Sequence, residues 1–295
     1  MKLLVYQNPR TFQERVTPFL LEHEAENNLP LGILANLIAG EFQDQPPYLA
    51  AVEQQGSLTW MVIRTPPYPA LFSFREAPPP EEEMDLVLAD LQETYGRELT
   101  GITADQALTS LLVPRWVART GVEAELKMAM RIYQLNRVQP VTGVPGELRS
   151  ANKEDRPLMQ AWYGNFLREA LGEDPDPKKV ERQVERYLAG KPHQRGLVFW
   201  EREGKRVSMA GYSGPTPHGI RVGAVYTPPE RRRKGFASAC VAALSRKLLG
   251  EGFEFCFLFT DLLNPTSNHI YQEIGYRPVS DVDSCHFEAP GSSPG

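Results

Sequence analysis

The loop between an apolar strand and a helix carries a dense run of positive charge. Residues 231–234, three arginines and a lysine, follow the double proline at 228–229, where strand pairing must stop because proline donates no ladder hydrogen bond. Gly235 comes next, and apolar residues then recur at helical spacing from Ala237 to Leu248. The first N–H groups of a helix lack helical partners and lie at the positive end of its dipole. The pattern predicts an anion site suited to a diphosphate.

The spacing of this loop separates it from the commoner phosphate-binding motifs. It contains neither the mononucleotide pattern G-x-x-x-x-G-K-[S/T] nor the dinucleotide pattern G-x-G-x-x-G, which disfavours a nucleotide hydrolase or kinase. It does contain Arg232-x-x-Gly235-x-Ala237, which resembles the acyl-CoA-binding motif Q/R-x-x-G-x-G/A of the GNAT superfamily of acetyl-CoA-dependent N-acetyltransferases. The simpler alternative for such a charge run is a solvated basic turn.

A second stretch further along the chain strengthens the resemblance. A predicted strand over 253–260 leads to a short helix that Asn264 caps and Gly275 stops. Asn264, Asn268 and Tyr271 are spaced four and three residues apart, so they share one face of this helix. The pattern N-x-x-x-N-x-x-Y-x-x-x-G-[F/Y] is similar to the second GNAT motif, whose helix lines the pantetheine arm of coenzyme A. Both motifs occur in the order that the family requires.

The resemblance implies a cofactor and a set of residues that hold it. The cosubstrate is acetyl-CoA, and no metal takes part. The strand before the loop would run along the pantetheine and the thioester carbonyl, the loop amides would hold the pyrophosphate, and the asparagine face would complete the site. The implied cofactor-binding residues are Val225, Tyr226, Thr227, Arg232, Arg233, Lys234, Gly235, Phe236, Ala237, Ser238, Asn264, Asn268 and Tyr271.

In the GNAT superfamily the acyl group passes directly from the thioester to an amine. The catalytic tasks are to position both reactants, stabilise the oxyanion, take a proton from the amine and give one to the leaving thiolate. Tyr271 is the implied general acid, and a half-buried structural tyrosine is the alternative. The candidates for the base are Glu201 and Asp261, each near the end of a predicted strand, and a water chain serves equally well.

Composition narrows the class of protein. The formal charge of −5 and the pI near 5.7 give no broad electrostatic footprint for nucleic acid, so we expect neither a nucleic-acid partner nor a membrane partner. Three cysteines without metal-ligand spacing indicate a reducing compartment. The apolar run at the start of the sequence is too short for a signal peptide, and no apolar run approaches the length of a membrane span. The expected location is the cytoplasm.

The predicted elements occur twice in the same order, as strand, two helices, three strands, helix, strand, helix and strand. We therefore predict an α/β fold with α+β layering, built of two tandem GNAT-like units, each a mixed, mostly antiparallel central sheet flanked by helices. The expected divisions are a degenerate GNAT-like domain at 1–137, a linker at 138–145, a catalytic domain at 146–289 and a disordered tail at 290–295. An unrelated α/β domain of similar element order is the alternative for the first half.

The first copy carries the wrong chemistry for a diphosphate. Its equivalent loop, 75–83, contains three prolines, no glycine and a run of three glutamates at 81–83. Carboxylates at that position would repel phosphates, although they suit a helix start. We expect the first copy to have a structural or substrate-shaping role and only the second to bind acetyl-CoA.

The leading hypothesis is an acetyltransferase that acts on an amine of a small metabolite or a protein. The alternative is a non-catalytic acyl-CoA-binding sensor that uses the same loop. The sequence carries no readable code for the acceptor, and the chain is compatible with a monomer or a homodimer.

Overall fold

The computed structural model describes residues 1–40, 45–75, 77–172, 174–191 and 193–289. The chain divides into two compact units, one formed by Met1–Ile132 and the chain from Ser280, the other by Tyr133–Val279. The tail at 290–295, expected to be disordered, lies outside the described residues.

The first unit alternates strands and helices as predicted. Its elements are β1 (Lys2–Val5), α1 (Pro9–Leu21), α2 (Asn28–Ile38), β2 (Tyr48–Gln54), β3 (Ser57–Arg64), β4 (Ala70–Phe74), α3 (Glu81–Tyr95), β5 (Gly101–Asp105), α4 (Gln106–Thr120) and β6 (Glu123–Leu135), the last of which enters the second unit at Tyr133. β1 to β4 pair antiparallel in sequence order, and β4 pairs parallel with β5.

The second unit repeats this order. Its elements are β7 (Glu147–Ser150), α5 (Arg156–Ala170), α6 (Pro177–Leu188), β8 (Gly196–Arg202), β9 (Lys205–Ser213), β10 (Gly219–Tyr226), α7 (Phe236–Gly250), β11 (Phe255–Asp261), α8 (Pro265–Ile274) and β12 (Arg277–Glu288), the last of which enters the first unit at Ser280. β7 to β10 pair antiparallel in sequence order, and β10 pairs parallel with β11.

The equivalent hairpins of the two units share local detail. β2 and β3 turn through Gln55 and Gly56, and β8 and β9 turn through Glu203 and Gly204, with positive φ at all four residues. Such turns match the twist of antiparallel strands. Each hairpin also has a register shift just before its turn, at Val52/Glu53 and at Trp200/Glu201. The chain therefore consists of two tandem units with the same element order, and the predicted α/β fold class is confirmed.

Two apolar clusters cover the two faces of the strands in the second unit. α7 and α8 supply one cluster, in which Cys240, Leu244 and Ile274 are fully buried against the strands. α5 and α6 supply the other, which contains Trp162 and Val184. Because side chains alternate along a strand, successive residues of β10 reach opposite faces. A group near the end of β10 is thus accessible from either helix layer.

The last strand differs from the prediction. Only 285–288 were predicted as a strand completing the second copy, but β12 begins at Arg277, and Val282–His286 pair antiparallel with β5 of the first unit. The early part of β12 is polar, so its sequence resembles a loop. Two of its polar side chains have partners in the first unit: each carboxylate oxygen of Asp281 accepts a 2.7 Å hydrogen bond from Arg131, and the Ser280 hydroxyl donates to Asp105 at 3.2 Å. The division at 1–137, 138–145 and 146–289 stays a prediction about the duplicated halves.

The helix start that corresponds to the cationic loop is acidic in the first unit. α3 begins with Glu81, Glu82 and Glu83, and Pro80 is its N-cap residue. Glu83 is 1% exposed and accepts a 3.1 Å hydrogen bond from the Thr59 hydroxyl. This turn presents carboxylates, and Pro80 has no backbone N–H to donate. The turn is therefore unsuited to binding phosphate.

Candidate active site

β10 separates from β11 part-way along its length. The parallel ladder joins three residue pairs, from Gly219–Phe255 to Arg221–Phe257, although both strands continue beyond it. On its other side β10 has a register shift between Gly223 and Tyr226, where one extra residue bulges out. Ala224 lies in this bulge with a φ of 48°. Within the described residues, the last part of β10 thus faces an opening on the β11 side, with backbone groups that the ladder leaves unpaired.

The chain turns tightly between β10 and α7. Residues Pro229–Arg231 form one turn of 3-10 helix, and Arg233 and Gly235 have φ angles of 59° and 76°. α7 begins at Phe236, which is 3% exposed and holds the helix in the apolar cluster. Gly235 is its N-cap residue, and no side chain caps the first amides. The predicted anion site is therefore an uncapped helix start at the end of the opening.

Glycine is required at position 235 for two separate reasons. Its φ lies in the left-handed region, which other residues adopt at a cost of roughly 1–2 kcal/mol. A Cβ placed there would also lie 2.7 Å from Cγ2 of Val144, in the segment that precedes β7. The turn and Val144 therefore fit each other closely, and any side chain at 235 must displace one of them.

The cations of the turn have different partners. Nε of Arg232 donates to the Thr227 carbonyl at 2.8 Å, and its terminal nitrogen forms a short ion pair with Glu169. Nζ of Lys234 donates to the Glu230 carbonyl at 3.2 Å. Arg233 is exposed and makes no ion pair with any described residue. The positive charges of Arg233 and Lys234 are not neutralised by a carboxylate of the described residues near the start of α7. The guanidinium of Arg232, in contrast, is paired with Glu169.

Glu169 near the C-terminus of α5 was missed in the sequence. One of its oxygens accepts from Arg232 and the other accepts a 3.3 Å hydrogen bond from the Tyr226 hydroxyl. Burial raises the pKa of Tyr226, and the nearby Glu169 charge raises it further. No spacing rule links α5 to the end of β10; these residues come together because α5 packs on β10, with the Trp162 ring against that of Tyr226.

The asparagines on the polar face of α8 form hydrogen bonds to backbone groups at the start of the same helix. Oδ1 of Asn264 caps the helix by accepting from the Ser267 amide at 3.0 Å. Nδ2 of Asn268 donates to the carbonyls of Asp261 and Asn264, and its oxygen accepts from the Tyr133 hydroxyl at 2.9 Å. The two asparagines fasten α8 to the end of β11. Their contact with a cofactor stays a prediction.

Tyr271 is buried on this helix. It is 8% exposed, and its ring centroid lies 6.4 Å from that of Tyr133 and 6.0 Å from that of Tyr276. Burial raises the pKa of Tyr271 to about 12. Its hydroxyl has no hydrogen-bond partner among the described residues, in contrast to the hydroxyl of Tyr276, which pairs with Ser245 at 2.8 Å. Tyr271 is therefore a neutral phenol with a free donor.

Neither predicted base is free of other partners. Nε of Arg149 donates to Glu201 at 2.8 Å, and the same guanidinium pairs with buried Asp155 at 2.7 Å. Arg206 bridges the same two acids. Oδ1 of Asp261 accepts from the Leu263 amide at 2.8 Å and thereby closes a turn. Both carboxylates stabilise local structure, and their use as a base stays a prediction.

The family comparison coincides with these features. The model described as the Acetyltransferase (GNAT) family matches residues 158–276, which run from α5 to just past α8. The match covers less than half of the chain, and we refer to the matched residues as the GNAT domain because of this similarity. The matched span includes the opening beside β10, the turn at Gly235 and Tyr271. No curated protein matches the chain.

Solved structures resemble the GNAT domain together with the first unit. A Drosophila protein is 14% identical with a TM-score of 0.63, covering 97% of this chain and 98% of its own. A GCN5-related N-acetyltransferase from Sphaerobacter thermophilus is 12% identical with a TM-score of 0.60, covering 99% and 98%. A tandem GNAT protein from the clavulanic acid biosynthesis pathway is 13% identical with a TM-score of 0.54, covering 99% and 100%. At such identities the likeness establishes the fold.

No helix within the described residues is long and apolar enough to cross a membrane. No three His, Cys, Asp or Glu side chains in that part of the chain are grouped so as to hold a metal ion. That the reaction uses no metal, and that the protein is cytoplasmic, stay predictions.

Proposed function

We propose that the GNAT domain transfers an acetyl group from acetyl-CoA directly to an amine. The observation that carries the proposal is the opening between β10 and β11, which ends at the uncapped start of α7 beside Arg233 and Lys234. An elongated thioester with a diphosphate at one end suits such a site, because its carbonyl can meet strand backbone while its phosphates meet helix amides.

The strand bulge supplies the groups that the thioester needs. In the proposed complex, backbone groups of Val225, Tyr226 and Thr227 run along the pantetheine, and a strand N–H donates to the carbonyl oxygen as negative charge develops there. The amides of residues 233–238 hold the pyrophosphate. The amine attacks the carbonyl carbon, the carbon–sulfur bond breaks, and the amine proton passes to a carboxylate or to water.

Tyr271 would act on the departing sulfur. Its pKa of about 12 keeps the hydroxyl protonated through the neutral range, so the donor is always present. Because an alkyl thiol titrates near 8.5, complete proton transfer to the thiolate would cost about 5 kcal/mol. The hydroxyl therefore stabilises the sulfur first by donating a hydrogen bond, and solvent can complete the protonation after release.

Release of free thiol from acetyl-CoA tests the proposal directly. With purified protein and a panel of amines, we expect at least one acceptor to raise thiol release well above the rate without acceptor, with acetylated amine formed in equal amount. A protein that binds acetyl-CoA tightly but releases no thiol with any acceptor would be a sensor and would contradict the proposed transfer.

Glu169 competes with the cofactor phosphates for Arg232 in this account. We expect Glu169→Gln to tighten acetyl-CoA binding about threefold to fivefold at low salt, because a surface ion pair worth up to about 1 kcal/mol is removed. The gain should shrink as salt screens the charges. Arg232→Gln should weaken binding about tenfold.

Glu230→Gln is the matched control for this change, since Glu230 is exposed on the same turn and makes no ion pair with the described residues. Calorimetric titration should show less than a twofold change for this variant. Equal tightening by Glu169→Gln and Glu230→Gln would indicate a general field effect and contradict competition for Arg232.

The first unit has a supporting role in the proposal. Its acidic turn at α3 cannot hold phosphates as α7 does, so we assign acetyl-CoA binding to the second unit alone.

A further inference from the structure

A cavity lies at the C-terminal end of α8. Its volume is about 370 Å³, within the range of small-molecule sites. α8 begins beside the end of β11 and runs ten residues to Ile274, so its two ends are about 15 Å apart. The cavity is lined by Asn136, Arg137 and Gln139, before β7, and by the end of α8 and the start of β12.

The lining of this cavity is polar and positively charged. It includes Arg137 and Arg277 together with the amides of Asn136, Gln139 and Gln272, and no carboxylate takes part. Neither arginine makes an ion pair within the described part of the chain. Two guanidinium groups and several amide donors suit a ligand that carries carboxylate or phosphate oxygens.

The C-terminal end of α8 carries partial negative charge, which opposes the attraction of an anionic ligand by the two arginines. The helix end is equivalent to about half a negative elementary charge, whereas Arg137 and Arg277 together carry two full positive charges. Three of its last four carbonyls are also paired, since the Gly275 amide donates to those of Gln272 and Tyr271, and the Gln139 amide donates to that of Ile274 at 2.7 Å. The net field in the cavity is therefore positive.

Backbone contacts hold the two sides of the cavity together. Gly275 has a φ of 109°, and a Cβ there would lie 2.8 Å from the Arg137 carbonyl oxygen. Nε2 of Gln272 donates to the Tyr133 hydroxyl at 3.1 Å, which fixes that side chain. The segment that carries Arg137 is thus pressed against the cap of α8, and the cavity is formed without a ligand.

We propose that this cavity is a second ligand site, for a small metabolite that carries two or more carboxylate or phosphate groups. The site does not depend on the transfer reaction, because none of its residues belongs to the proposed acetyl-CoA site.

Calorimetric titration of the full-length protein with citrate and with inorganic phosphate tests this site. Citrate, whose three carboxylates can meet both guanidiniums, should bind at least tenfold more tightly than phosphate. Arg137→Gln and Arg277→Gln should each weaken citrate binding about tenfold or more, and the double variant should show no measurable binding. The titrations are run with and without saturating coenzyme A, and the citrate affinity should be the same.

Arg246→Gln is the matched control, since Arg246 is exposed on α7 outside the cavity and has no ion-pair partner in the described chain. It should change citrate affinity less than twofold. Thermal unfolding checks that each variant folds. Absence of citrate binding to the wild-type protein, or an equal loss in Arg246→Gln and Arg277→Gln, would overturn the proposal.

Discussion

Gly235→Ala should weaken acetyl-CoA binding about 100-fold while the protein stays folded. The methyl group cannot occupy the space beside Cγ2 of Val144, so the turn must shift and carry the first amides of α7 away from the pyrophosphate. A loss of about 3 kcal/mol corresponds to one or two hydrogen bonds to a charged group. Calorimetry with acetyl-CoA measures the change directly.

Two further variants separate the clash from backbone strain. Gly204 has a φ of 71°, close to that of Gly235, but a Cβ there meets nothing within 4 Å. Gly204→Ala should therefore lower the stability of the fold about as much as Gly235→Ala does, but leave the affinity for acetyl-CoA unchanged. Adding Val144→Ala to Gly235→Ala removes the clash and should restore much of the affinity. Equal binding losses in Gly204→Ala and Gly235→Ala would contradict this explanation.

Tyr271→Phe should lower kcat about 100-fold to 1,000-fold, the usual range for a lost proton donor, with acetyl-CoA affinity unchanged within about twofold. The hydroxyl has no partner in the described protein, so its removal leaves no group unsatisfied and should cost little stability. Steady-state kinetics with the best acceptor, together with calorimetry, measures both quantities.

Tyr276→Phe is the control for this change. Tyr276 packs beside Tyr271 and is also buried, but its hydroxyl pairs with Ser245. Its loss should lower the unfolding temperature and leave kcat nearly unchanged. If Tyr271→Phe keeps the wild-type kcat, Tyr271 is a structural tyrosine and its hydroxyl does not stabilise the departing sulfur.

Local patterns were sufficient to predict most elements of the fold. The caps of α8 were readable because Asn264 and Gly275 act through their own backbone neighbours. The hairpin turns were marked by Gly56 and Gly204. The start of α7 lies within two residues of the predicted position because Gly235 alone can adopt the required conformation with so little space.

Long-range contacts were not readable in the same way. The pairing of β12 with β5 depends on polar side chains that find partners more than 170 residues away, such as Ser284 with Thr103. The ion pair of Arg232 with Glu169 joins α5 to the turn before α7 across 63 residues. Spacing rules assign Arg232 to a motif but cannot show that a carboxylate already holds it.

The most direct measurement of the central claim is a calorimetric comparison of coenzyme A with pantetheine, which lacks the diphosphate and the nucleoside. We expect coenzyme A to bind the wild-type protein at least 100-fold more tightly than pantetheine. Gly235→Ala should remove most of this difference in affinity. Equal affinity for the two compounds, or no heat with coenzyme A, would contradict the assignment of the α7 helix start as a diphosphate site.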